Sequence, residues 1–158
     1  MAFKCFISTP ESVKNIAEEF RKMAKRRKHH MNFKLKKMSD KDKCNLVLVY
    51  CPIVSRAGTD IQATLDKIKT EFSGKWVILI VLHHTFDPEI SVSDSSKFDD
   101  SNVDLTVDCL FHEDQGLLKC ERNSKATRKV KRFLKQKSKS NKKTDIESSS
   151  KVGKADQL

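Results

Sequence analysis

The sequence predicts a small α/β domain: a mainly parallel sheet with helices on both faces, followed by a disordered basic tail. Three observations carry this. Cys44 to Cys51 and Trp76 to Leu82 are almost continuously apolar and rich in Val, Ile and Leu, the pattern of strands covered on both faces. Stripes of apolar residues at helical spacing lie between and after such runs, so strand and helix alternate as in βα units. Beyond Gln136 apolar residues almost vanish among Lys, Ser, Asn and Asp, and such a segment buries too little surface to offset its ordering entropy. The division is therefore a domain over 1–137 and a tail over 138–158.

Phe3 to Ile7 reads as the first strand. Thr9 is expected to cap a helix near 10–29, with Pro10 at its first position and Glu11 in its first turn. Val13, Ile16, Ala17, Phe20 and Met23 form its apolar stripe. Phe33 and Leu35 alternate with Lys34 and Lys36 as a short edge strand protected by lysines. After the strand 45–51, Pro52 and a polar loop lead to a helix capped near Thr59, with Ile61, Leu65, Ile68 and Phe72 facing inward and Ser73-Gly74 ending it. The strand 76–82 opens into a long acidic loop from His83 to about Asn102, and loops of that length in compact domains are functional or mobile. A strand near 104–110, a short edge segment at 116–120 and a helix from Asn123 or Ser124 to Gln136 complete the domain.

The net charge of +11 is unevenly placed: residues 1–43 carry +8, residues 44–120 carry −6 and residues 121–158 carry +9. Basic ends attract nucleic acid, anionic surfaces or acidic proteins. Lys25, Arg26, Arg27 and Lys28, with Lys129, Lys131 and Arg132, are the candidate polyanion contacts, or alternatively import signals or solubilising charge. Aromatic residues for base stacking are scarce in these stretches.

An odd count of five cysteines, three of them inside or beside apolar runs, is expected of reduced thiols in an intracellular protein. The seven-residue run Trp76 to Leu82 is far too short to span a membrane, and the N-terminal apolar stretch is too short for a secretory signal. The expected location is the cytoplasm, with the nucleus as the alternative.

In a parallel sheet, ligands bind beyond the carboxyl ends of the strands. That edge would gather Ser8 and Thr9, the loop Ser55, Arg56, Gly58, Thr59 and Asp60, and His83, His84 and Asp87 as candidate ligand-binding residues, with His112-Glu113-Asp114 nearby. The helix start at 56–60 offers backbone donors, a hydroxyl and a cation, which suit a phosphate or carboxylate. Neither G-x-G-x-x-G nor G-x-x-x-x-G-K-[ST] occurs, so dinucleotide-fold dehydrogenases and P-loop enzymes lose their main support. His83-His84-x-x-Asp87 and Cys109-x-x-His112 do not match the paired knuckles of tetrahedral zinc. No metal and no cofactor are expected, and Cys51, at a strand end, reads as a buried structural thiol rather than a nucleophile.

The strand with Ser8, the polar loop with Gly58-Thr59, the helix, then Gly74-Lys75 and a second apolar strand resemble the group formed by TIR domains and nucleoside deoxyribosyltransferase-like enzymes. The resemblance covers residues 3–82 and implies a Rossmann-like, flavodoxin-type sheet. In the glycosidase members a glutamate near this helix start is the catalytic carboxylate; the equivalent position here is Gln62. An amide cannot ionise, so it cannot act as nucleophile or support an oxocarbenium ion. Asp60 would point about 200° around the helix from it. No catalytic residue is therefore assigned. The resemblance implies a noncatalytic intracellular protein-interaction module, with innate-immune signalling as its setting and a protein partner or self-association. The alternatives are a nucleotide or nucleoside sensor or N-glycosidase, and a nonspecific nucleic-acid binder.

Overall fold

The computed structural model describes residues 2–25, 33–54 and 56–155, with side chains through Ser140. One sheet holds six strands: β1 (Ala2–Ser8), β2 (Lys34–Met38), β3 (Leu46–Pro52), β4 (Trp76–His84), β5 (Leu105–His112) and β6 (Gly116–Leu117). Their spatial order is β2-β1-β3-β4-β5-β6. Every pairing from β2 to β5 is parallel, and only β6 runs antiparallel, against Phe111 and His112. The helices are α1 (Lys14–Lys25), α2 (Ala57–Glu71) and α3 (Glu121–Ala155). The four longer strands expected from the sequence thus share one sheet.

The continuous apolar runs lie where the pattern requires. Six consecutive residues of β3, Leu46 to Cys51, are buried, and Val77 to Leu82 of β4 are each 0% exposed. Alternate side chains of these strands enter different clusters, as a period of two dictates. Leu46, Leu48, Tyr50, Ile78, Ile80 and Leu82 join Ile16 and Phe20 of α1 and Val130 and Leu134 of α3. Val47, Val49, Cys51, Val77, Leu79 and Val81 join Ile61, Leu65 and Ile68 of α2, with Phe72. Tyr50 carries a hydroxyl into the first cluster, where it donates to the Ala17 carbonyl at 3.1 Å.

The connection from β4 to β5 is not a helix. Residues 85–104 hold only a short 3-10 turn at Ser95–Lys97, and Phe98 and Val103 pack on the cluster that α2 covers. Asp104 locks the end of this crossover: its N–H donates to the Val77 carbonyl at 2.9 Å and its Oδ2 accepts from Val77 N–H at 2.8 Å. A segment so rich in Asp and Ser satisfies its own backbone through side chains more readily than through a helix ladder. Asp94 and Asp100 each accept a backbone N–H two residues on.

Helix starts differ from the expected ones. Thr9 does not cap: its Oγ1 donates to the Pro10 carbonyl at 3.0 Å, and a 3-10 turn at Glu11–Val13 precedes α1. Arg56, not Thr59, is the N-cap of α2, without a side-chain cap bond, so Gly58 and Thr59 lie within the first turn. Asn123 lies inside α3 rather than at its start, because its amide is engaged by β5. The last buried side chain of α3 among the described residues is Ser138. No Gly or Pro occurs between Glu121 and Val152, so no breaker interrupts α3 before Gly153, and the helical backbone runs to Ala155. No helix among the described residues is long and apolar enough to cross a membrane.

Candidate functional site

The carboxyl ends of β1, β3, β4 and β5 frame a cleft of about 620 Å³. Ser12 and Val13 line it from the turn after β1, Pro52 to Val54 from the loop after β3, His84 from the end of β4, and Phe111 and Glu113 from the end of β5. It lies where parallel topology places ligand sites. Val54 is 83% exposed in its wall.

The candidate residues of the sequence divide among three environments. Ser8 is buried at the end of β1. Arg56, Gly58 and Thr59 are exposed at the start of α2, whereas Ser55 lies outside the described residues. The Asp60 carboxylate turns back and accepts the Val54 N–H at 2.8 Å, holding the loop against its helix. Gln62 is exposed and donates to Asp66 Oδ1 at 3.1 Å. Asp87 serves its own turn, accepting the Glu89 N–H at 2.9 Å.

His83 and His84 separate. His83 Nε2 lies 2.8 Å from Asp108 Oδ1, and Asp108 also accepts from Ser95, through Oγ at 2.6 Å and N–H at 2.9 Å. Burial pushes the Asp108 carboxyl up, but the hydrogen bonds from His83 and Ser95 outweigh it and leave it below the usual range. The three side chains have the residue types of a hydrolytic triad in the wrong order. Ser95 gives its proton to the carboxylate, not to the imidazole, so nothing activates its oxygen. Their work is to anchor the helix-free crossover to β5.

His84 instead stays beside the cleft. Its ring lies edge-on to Phe111, with centroids 5.4 Å apart, and 4.7 Å from the ring of His112. His84 Nε2 hydrogen-bonds to Glu113 Oε2, and that bond holds the Glu113 carboxyl below its ordinary range. His112 is buried, with Phe86 stacked on it. Its Nδ1 accepts the Asp114 N–H at 3.2 Å. Sequence reasoning brings His84 and His112-Glu113 to the same sheet edge but not into one set, because it pairs His84 with Asp87 and His112 with Cys109. Cys109 is 0% exposed in the core, and burial pushes its thiol up strongly.

The remaining thiols near the strands are equally unsuited to nucleophilic work. Burial raises the Cys51 thiol and pushes Cys5 up to about 12, so neither forms the thiolate that nucleophilic attack requires.

A second hollow, of about 590 Å³, lies at the opposite edge of the sheet, lined by Arg21, Lys25, Lys34, Lys36 and Lys37 among others. Glu18 neutralises part of it, pairing with Arg21 and with Lys37 at 3.3 Å. Lys129 and Arg132 are exposed on α3 and Lys131 is half-buried; Arg26, Arg27 and Lys28 lie outside the described residues. No protein-family model matches the chain, and no curated protein does.

Proposed function

We propose that the protein is a noncatalytic interaction module of Rossmann-like fold, with the carboxyl edge of the sheet as its contact side. The observation that carries the reading is the commitment of the polar groups at the start of α2. Asp60 holds the Val54 N–H and Gln62, an amide, holds Asp66, so the equivalent position carries no carboxylate and the nearby one is engaged by its own loop. The packing of α1 and α3 in one buried cluster and of α2 in the other supports the same reading, since helices on both faces would leave the carboxyl edge as the open side. The exposed apolar side chains Val54, Phe86 and Ile90 all belong to loops of the carboxyl edge, and contact surfaces are built around such groups. The partner is another protein or a second copy, in an intracellular and innate-immune setting.

Product formation by the purified protein on nucleosides and on nicotinamide dinucleotide tests the reading, with no turnover expected. Turnover lost in Asp60→Asn would overturn it and make Asp60 the catalytic carboxylate. Gln62→Glu alone should not create activity, because catalysis also needs a positioned substrate and a prearranged polar site.

One observation favours a second reading. The lysine-lined hollow beside β2 suits a polyanion held by charge alone. Binding of that kind falls steeply with salt and ignores base sequence. Salt-insensitive or sequence-selective binding of RNA or DNA would contradict it.

A further inference from the structure

β4 ends in His83-His84 and β5 in Phe111-His112, with Glu113 opening the turn that follows. The parallel register sets His84 opposite Phe111, and the Thr85 N–H donates to the Phe111 carbonyl at 2.9 Å, which ties the two strand ends together. Three side chains converge there. One ligand atom from each of His84, His112 and Glu113 lies within 4.8 Å of the other two. His112 Nε2 is 3.9 Å from Glu113 Oε1, and His84 Nε2 is in hydrogen-bond contact with Glu113 Oε2. Donors bound tetrahedrally to one ion at about 2.1 Å stand about 3.4 Å apart, so small side-chain rotations bring this set to coordinating distance.

We propose that His84, His112 and Glu113 form a two-histidine, one-carboxylate site for a divalent transition-metal ion such as zinc, at the rim of the carboxyl-edge cleft. The burial pattern fits that role. The His112 side chain is 5% exposed and supplies a fixed ligand, while His84 at 47% and Glu113 at 66% can adjust around an ion. Imidazole nitrogens select zinc, nickel, copper or iron over calcium and magnesium. Three protein ligands leave at least one coordination position open, and His84 and Glu113 also line the cleft. The ion would therefore offer a docking point to a carboxylate or other donor of whatever occupies the cleft.

Asp114 supplies the supporting contact. Its Oδ2 lies 3.8 Å from His112 Nδ1. Coordination through Nε2 puts the ring proton on Nδ1, where the Asp114 carboxylate is placed to accept it in exchange for the present N–H contact. A carboxylate behind a ligating histidine fixes its tautomer and raises its basicity. The proposal is independent of the interaction-module reading: metal binding is measured without any partner.

The test is calorimetric titration of Zn(II) into the full chain after chelator treatment, with Co(II) absorption spectra as the second readout. One ion per chain is expected, with a cobalt spectrum lacking a thiolate charge-transfer band. His84→Ala and Glu113→Gln, both at solvent-accessible side chains, should each weaken binding at least about tenfold. His83→Gln, which faces Asp108, should leave affinity unchanged. No stoichiometric binding by the wild type, or undiminished affinity in both His84→Ala and Glu113→Gln, would overturn the proposal. So would a thiolate band, which would place the ion on a cysteine, or loss of binding confined to His83→Gln.

Discussion

Asn123 takes the place of a neighbouring strand for Leu110. Its Oδ1 accepts the Leu110 N–H at 2.7 Å, and its Nδ2 donates to the Leu110 carbonyl at 2.8 Å and to the Leu118 carbonyl at 2.7 Å. β6 covers β5 only at Phe111 and His112; the Leu110 carbonyl also accepts the Leu118 N–H at 3.1 Å, but the Leu110 N–H would end unpaired beneath α3 without Asn123. One buried amide closes the sheet edge and locks α3 onto it.

Asn123→Ala is accordingly expected to cost about 1–3 kcal/mol, the penalty of leaving buried backbone groups without partners. Asn123→Asp keeps the acceptor and loses both donors, so it should also destabilise. Urea denaturation of the two variants checks this. A loss below about 0.5 kcal/mol in both would mean that water replaces the amide.

Stability should depend on pH through Glu18. Its carboxylate accepts from Arg21 Nε at 3.2 Å to both oxygens, and from Lys37. The hydrogen bond from Arg21 is the main cause of a pKa lowered from 4.5 to about 2. A carboxyl depressed in the folded state stabilises above its unfolded value and loses that contribution as pH falls through the folded one. Wild type should therefore exceed Glu18→Gln in stability at neutral pH, with the gap closing between about pH 4.5 and about pH 2. A gap that is constant over this range would show that Glu18 acts through packing alone.

Two glycines separate backbone strain from steric conflict. Gly74 has φ +84° and open space around a hypothetical Cβ, whereas Gly116 has φ +74° and would place a Cβ 2.5 Å from Glu19 Oε1. That oxygen accepts the Leu117 N–H at 2.9 Å. Gly74→Ala should cost about 1–2 kcal/mol from the left-handed conformation. Gly116→Ala should cost more, because Glu19 must also release Leu117. Equal melting temperatures for the two variants would show that Glu19 moves without penalty.

Ile78 is 0% exposed at the centre of β4, and Ile78→Ala should cost about 2–5 kcal/mol from lost transfer energy plus a cavity. Removal of residues 141–158 should leave the melting temperature within about 2 °C, since Ser138 is the last buried side chain of α3 among the described residues and the removed stretch is poor in apolar residues. A larger loss would mean that this segment packs on the domain.

The sequence by itself determined the strands of the core and the inward faces of the helices. Val47, Val49, Ile78 and Ile80 sit in runs with no polar interruption, and burial on both faces is written directly into such a local pattern. The alternation of strands and helices also determined a mainly parallel sheet and the edge where a cleft would form. Tertiary structure decided the rest, because it depends on partners far away in the chain. His83 and His84 are adjacent in sequence, yet one turns to Asp108 and the other to Glu113, since neighbours in a strand face opposite sides and the register with β5 chooses their partners. Asn123 looks like a helix cap until Leu110, thirteen residues earlier, is placed beside it. Asp60 is a candidate ligand-binding residue in the sequence and a loop clamp in the fold. Local periodicity encodes what is buried; which polar groups meet is settled only when strand register brings distant segments together.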